Sequence, residues 1–178
     1  MPGHILNIGS FLNQQIDTCF LMEMGKEVAS LYKDSGVTKV LTIESSGIAL
    51  AVASAAELKV PVLFAKKHRS GNVAGEVYKV NIHSYTHGND YEAVVPASFL
   101  CADDKVLLVD DFLASGEALN GLINLVGQAG ATVVGAAIAV EKGFQKGGDA
   151  LREKGMRVES LAIIDKFLDD TVEFRKQF

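Results

Sequence analysis

The residues with the most chemistry in them lie in one stretch, Leu107-Leu108-Val109-Asp110-Asp111-Phe112-Leu113-Ala114-Ser115-Gly116-Glu117-Ala118. A buried strand, predicted over Val106 to Val109, ends in two adjacent carboxylates. A short loop of small residues follows, then a helix predicted over Ser115 to Ala129 with Gly130 as its cap. Ligands in open α/β sheets bind at the carboxyl ends of strands. Backbone amides at a helix N-terminus favour an anion there. Ala114 to Ala118 can therefore wrap a phosphate, while Asp110 and Asp111 face a hydroxylated or cationic group beside it. Acids that accept from neighbouring hydroxyls, next to a phosphate nest, suit a ribose 5-phosphate. Ser45-Ser46-Gly47 is a second strand-to-helix turn with small residues and free amides, again suited to an anion. Lys66, Lys67, His68 and Arg69 follow the next strand and read either as a solvated basic patch or as anion ligands. His4, His68, His83 and His87 are not spaced like metal ligands.

These residues need a frame. Asp17 is a helix N-cap, and Phe20, Leu21, Met24, Val28, Leu31 and Tyr32 recur behind it at helical spacing, with Gly36 as the terminating residue. Lys39 to Ile43 is predicted as a strand, Ile48 to Leu58 as an alanine-rich helix and Val60 to Ala65 as a strand. Strand, helix, strand with short joins is a βαβ unit, hence a parallel sheet covered by helices. The pattern then changes. Tyr78, Val80 and Ile82 alternate with polar residues, Asn89-Asp90 marks a turn, and Tyr91 to Val95 suits a return strand, so the middle section is an antiparallel hairpin. Thr132 to Val140 and Arg157 to Ile164 are further core strands, with a short helix over Asp149 to Lys154. Val172 to Phe174 suits a short last strand.

Composition sets outer bounds. The chain has 178 residues, 48% apolar and 22% charged, with a net charge of −5. Those values exclude disorder, collagen and a coiled coil. Net acidity argues against a nucleic-acid binder. The longest apolar run, Val133 to Val140, is too short to span a bilayer, so no membrane association is expected. No signal peptide is visible, and Cys19 and Cys101 read as ordinary buried thiols of a reduced cytoplasmic protein. The mean hydropathy of +0.21 is high for a monomer and suggests a self-association surface.

The stretch around Asp110 and Asp111 resembles the phosphoribosyl-pyrophosphate motif of the type I phosphoribosyltransferases, with Ser115, Gly116, Glu117 and Ala118 where that family usually carries Thr-Gly-x-Thr. Ser10 to Asp17, Ile43 to Ala49, Phe64 to His68 and Val140 to Gln145 are similar to the bacterial xanthine phosphoribosyltransferases within that family, in the same order along the chain. The resemblance implies an α/β fold: a twisted, mostly parallel sheet flanked by helices, with a small hood from both termini and a flexible hairpin lid. It implies one domain over 1–178, with the hood at about 1–16 plus the C-terminal segment and the lid at about 66–97.

It also implies the reaction. A purine base, here xanthine, would take the phosphoribosyl group of 5-phosphoribosyl 1-pyrophosphate (PRPP), with Mg²⁺ as cofactor held mainly through the pyrophosphate and no direct protein metal site. Asp110 and Asp111 would hold the ribose hydroxyls, and Ala114, Ser115, Gly116, Glu117 and Ala118 the 5′-phosphate. Ser45, Ser46, Gly47, Lys66 and Lys67 would bind pyrophosphate. Leu6, Asn13 and Lys142 would bind the base, with Lys142 donating to a 6-oxo group and disfavouring the amino group of adenine. Phe112 and Phe144 are both candidates to stack on the purine. A homodimer is expected. Two alternatives stay open at this point. One is a hypoxanthine or guanine phosphoribosyltransferase. The other is a non-catalytic purine regulator that senses PRPP, disfavoured because Leu6 already matches base-site sequence and leaves no room for a DNA-binding head.

Overall fold

The computed structural model describes residues 6, 8–67, 75–84, 89–168 and 171–176. His4, His68, Arg69 and His87 lie outside them. Helix α1 covers Thr18–Tyr32, and the Asp17 side chain caps it by accepting from the Phe20 amide at 3.0 Å. Its inward face is Met24, Gly25, Val28 and Tyr32. The helix stops at Tyr32, earlier than Gly36 suggested, and Gly36 takes its positive φ of 65° in the turn that follows.

Strand β1 (Lys39–Ile43) leads into α2 (Gly47–Leu58), and β2 (Val62–Ala65) completes the first βαβ unit. The hairpin is β3 (Val77–Ser84) and β4 (Asn89–Pro96), paired from Val77↔Pro96 to Ser84↔Asn89. Asn89 and Asp90 thus belong to the strand and not to a turn, because pairing with Ser84 and His83 overrides their local turn preference. Strand β5 (Lys105–Leu113), α3 (Glu117–Gln128), β6 (Thr132–Lys142), α4 (Gly147–Glu153), β7 (Val158–Phe167) and β8 (Val172–Phe174) follow.

The main sheet has the order β2-β1-β5-β6-β7-β8, parallel from β2 to β7, with β8 antiparallel at the edge. The chain moves outward from β1 to β2, then returns to place β5 on the other side of β1. That reversal opens a crevice at the carboxyl ends of β1 and β5, where ligands of such sheets bind.

Each face has its own core. Leu41, Leu108, Leu119, Leu122 and Leu125 pack under α3, and Val28, Tyr32, Leu50, Leu107 and Val109 pack under α1 and α2. The start of the chain joins the second core through Ile8 and Leu12. Gly25 of α1 has no room for a side chain, since a Cβ there would lie 2.7 Å from the Ala53 carbonyl carbon. The small residues of α2 thus serve close helix packing.

The hairpin stem is anchored. Ile82 and Ala93 are buried in the core under α3, and Ile82 fills the space above Gly121. Gln128 of α3 grips Lys79, accepting from its amide at 3.2 Å and donating to its carbonyl at 2.8 Å. The Lys66 and Val94 main chains exchange two hydrogen bonds, tying β4 to the end of β2. Of the lid expected over about 66–97, residues 68–74 and 85–88 lie outside the described residues. Cys19 and Cys101 are free and exposed, contrary to the expectation of buried thiols.

Candidate active site

The strand carrying the acid pair runs further than its sequence suggested. It continues through both acids to Leu113, since Asp110, Phe112 and Leu113 still pair with Ile138, Val140 and Glu141. Asp110 and Asp111 are each only 6% exposed, so two carboxylates sit together in a nearly dry position. The Asp110 carboxylate accepts from the Asp111 amide at 2.9 Å. Burial, and then the neighbouring Asp111, raise the Asp110 carboxyl well above the usual carboxylate range, while Lys67 pulls it the other way.

The Ser45–Ser46 turn ends directly on this pair. Gly47 opens α2, and a Cβ built on it would lie 2.8 Å from Asp110 Oδ1 and collide with the Thr42 hydroxyl. No side chain caps α2. Thr42 is fully buried on β1 and its hydroxyl has no partner among the described residues. The Glu44–Ser45 peptide bond is cis.

Lys66 and Lys67 follow β2 in the same crevice. The Lys67 amide donates to Glu44 Oε1 at 2.7 Å, which ties the basic segment to the start of the turn. The Lys67 ammonium lies over the Tyr91 ring, 5.2 Å from its centre. Burial and then Asp110 raise the Tyr91 hydroxyl's pKa. Lys67, Tyr91 and Asp110 thus form one electrostatic group.

Ala114, Ser115 and Gly116 form the loop between β5 and α3, and α3 starts at Glu117, two residues later than predicted. Gly116 has φ 92°, a conformation that favours glycine, and no side chain caps the helix behind it. The amides at the start of α3 and the positive end of its dipole are therefore open to an anion.

Lys142 is the last residue of β6, not a residue beyond the strand. Its ammonium lies 5.0 Å from the centre of the Phe112 ring, held there by cation–π attraction. The neighbouring acid does not neutralise it: Glu141 is fully buried and bonded by Arg152 at 2.9 and 2.6 Å and by Ser160 at 2.5 Å. Leu6 and Phe112 pack against one core cluster. Asn13 ends the N-terminal helical turn and is exposed. Phe144 is 40% exposed and meets Phe167 edge-on at 5.3 Å.

Some of the surroundings had no signal in the sequence. Gly143 lies against Asp165 Oδ1 and 2.9 Å from Arg175 Nη2 as measured from a built Cβ. Arg175 bonds both Asp165 (2.7 Å) and Asp149 (2.6 Å), closing the C-terminal segment over the end of β6. Tyr91 and Gly147 carry no signal in the sequence either, since each meets the site only through contacts distant along the chain, and Thr42, local to the Gly47 turn, reads simply as a strand residue. Among the described residues no group of three or more His, Cys, Asp or Glu converges to hold a metal ion, and no helix is long and apolar enough to cross a membrane.

The chain is 50% identical over 171 residues to the xanthine phosphoribosyltransferase of Heliobacterium modesticaldum, covering 96% of this chain and 90% of that one. It is 47% identical over 173 residues to the Oceanobacillus iheyensis enzyme of the same name, covering 97% and 89%. Among solved structures, the adenine phosphoribosyltransferase of Giardia lamblia, complexed with 9-deazaadenine, superposes with a TM-score of 0.75 at 30% identity over 85% of this chain and 82% of that one. The phosphoribosyl transferase domain matches residues 18–171, a span that holds the acid pair, both anion turns and Lys142. The crevice and the sequence thus lead to one conclusion: the chain belongs to the phosphoribosyl transferase domain family.

Proposed function

We propose that this chain is a single-domain purine salvage enzyme that transfers the 5-phosphoribosyl group of PRPP to N9 of xanthine, giving xanthosine 5′-monophosphate and pyrophosphate. The observation that carries the reaction is the buried Asp110 against Gly47 at the sheet's switch point. The choice of base follows the Heliobacterium and Oceanobacillus relatives, and Lys142 is chemically consistent with it.

The chain's part is positioning and electrostatics. The Ala114–Ala118 loop takes the 5′-phosphate on its amides. Asp110 and Asp111 accept from the ribose 2′- and 3′-hydroxyls, and their charge favours the positive character that grows on the anomeric carbon as pyrophosphate leaves. Ser45, Ser46 and Gly47 bind pyrophosphate through amides, with Lys66 and Lys67 supplying charge. Lys142 donates to the 6-oxo group of the base, and Asn13 offers a donor and an acceptor to its other edge. Leu6 covers the base from the N-terminal hood.

Mg²⁺ is a hard cation that prefers oxygen, and the oxygens on offer here suit one that arrives with the substrate, held through the pyrophosphate that Ser45, Ser46, Gly47, Lys66 and Lys67 bind. When bound, it neutralises charge on the leaving group. In this reading the enzyme acts in the cytoplasm as a homodimer, with Phe20, Val52, Phe64 and Phe99 as exposed apolar surface available to an interface.

The test supplies PRPP, Mg²⁺ and one purine base at a time. Nucleotide should form fastest from xanthine. Faster turnover of guanine, hypoxanthine or adenine would overturn the base assignment, and no turnover with any base would overturn the reaction.

A further inference from the structure

Helix α4 connects the two ends of the candidate site, and its first residues have no free space. A Cβ on Gly147 would collide with the Ala114 carbonyl oxygen and lie 2.5 Å from the Ser115 carbonyl carbon and 2.7 Å from the Gly116 nitrogen. The Gly147 amide also donates to the Ala114 carbonyl at 3.1 Å. A Cβ on Gly148 would strike the Glu141 carboxylate, 2.5 Å from its Cδ. Backbone of α4 is thus wedged between the phosphate loop on one side and Glu141 on the other.

Glu141 is the fixed point. It sits in β6 opposite Leu113 of β5, next to Lys142, with no solvent exposure. Arg152 from the last turn of α4 grips both its oxygens, at 2.9 and 2.6 Å, and Ser160 of β7 donates to it at 2.5 Å. A bidentate pair of this kind sets orientation as well as distance. The Arg152 fork also donates to the Val158 carbonyl at 3.1 Å, so α4 is clamped to β6 and β7 together.

We propose that Gly147 and Gly148 are positioning residues for the 5′-phosphate loop, held in place by the Glu141–Arg152 pair, so that the loop is set from the strand end that carries Lys142. This rests on the reading of Ala114–Ala118 as the phosphate site. Nothing here touches the reacting atoms. The effect passes through the position of the Ala114 carbonyl and the amides that follow it.

The experiment measures kcat and both KM values for the full chain, with ribose 5-phosphate binding by calorimetry as a second readout. Gly147→Ala should raise the KM for PRPP at least tenfold and weaken ribose 5-phosphate binding by a similar factor, with the KM for xanthine changed less than twofold. Arg152→Lys keeps the charge but loses the fork, and should raise both KM values by threefold or more, because it frees the point shared with Lys142. Gly127→Ala, on an open side of α3, is the control and should leave all constants unchanged. Equal changes in both KM values for Gly147→Ala, or an unchanged KM for PRPP, would overturn the proposal. If Gly147→Ala shows no cooperative thermal transition, Arg152→Lys decides: a lower melting temperature with both KM values unchanged would make the pair merely structural. A parent chain that turns over no base and binds no ribose 5-phosphate overturns the phosphate-site reading itself, a result distinct from these.

Discussion

Asp110 of β5 lies against Gly47, the first residue of α2 beyond the neighbouring β1, with the Gly47 Cβ position 2.8 Å from the Asp110 carboxylate and 3.4 Å from its Cα. A glycine is required because a side chain would collide with the Thr42 hydroxyl and the Asp110 carboxylate, and in the proposed function this turn must sit directly on the strand of the acid pair. Any side chain there would separate the two halves of one substrate. Burial, and then the neighbouring Asp111, raise the Asp110 carboxyl's pKa, so ionising it costs the folded chain stability.

That cost is measurable. Asp110 has a folded pKa above its unfolded one, so its contribution to stability is full below the unfolded value of about 3.9 and is lost as pH rises through the folded value. Asp110→Asn keeps the shape and removes the charge. At pH 8 the variant should melt higher than the parent, by about 2–4 °C for each kcal/mol recovered. The gap should close as pH falls towards 4. Turnover should drop at the same time, on the order of 10²-fold or more. A variant that is both less stable and fully active would place the acids elsewhere.

Gly116 is required for a different reason. Its φ of 92° is a conformation that side chains resist. Gly116→Ala should destabilise the chain by at least about 1 kcal/mol and raise the KM for PRPP more than that for xanthine. Ser115→Ala removes one hydroxyl from an exposed position and should cost less than about 1.5 kcal/mol of PRPP binding. Steady-state kinetics with each substrate varied in turn checks both.

The proposed function gives Lys142 the base discrimination. Its ammonium faces the Phe112 ring and has no carboxylate partner next door, since Glu141 is committed to Arg152. Lys142→Met should lower kcat/KM with xanthine by roughly 10- to 100-fold, the size of a charge-assisted hydrogen bond. Adenine should lose less, so the ratio between the two bases should fall. An unchanged ratio would remove Lys142 from the base site.

The contiguous parts of the candidate site are legible in the sequence, and its long-range parts are not. Asp110 to Ala118 could be read because strand, acids, loop and helix follow one another without a gap. The Ser45-Ser46-Gly47 turn was readable for the same reason. The end of β5 was misplaced because two acids look like the end of a strand, yet the ladder with β6 continues past them to Leu113. Asn89-Asp90 has turn chemistry, but pairing with β3 decides its conformation. Gly147 and Gly148 carried no signal, since nothing local says that Ala114 and Glu141 will lie against them. The alternation of Tyr78, Val80 and Ile82 with polar residues marks the hairpin but says nothing of its anchors, Ile82 over Gly121 and the Gln128 contacts, which join segments distant in sequence.

The C-terminal segment should behave as an acid-sensitive clasp. Arg175 is the first cause that lowers the pKa of Asp149, and it does the same for Asp165, each below its ordinary value of 3.8. A lowered folded pKa contributes stability that is present above the unfolded value and lost as pH falls through the folded one. Arg175→Met should therefore lower the melting temperature at pH 7, and the difference from the parent should shrink as pH falls below the unfolded value and vanish once both carboxyls are protonated in the folded chain. The effect should be modest, about 1 kcal/mol per pair at most, because the partners are 27–32% exposed. Gly143 packs on Asp165 and Arg175 next to Lys142. Releasing the clasp should therefore raise the KM for xanthine and leave the KM for PRPP within twofold. Thermal melts across pH and paired KM measurements check the two halves, and a rise in the KM for PRPP alone would show that the clasp serves the phosphate end instead.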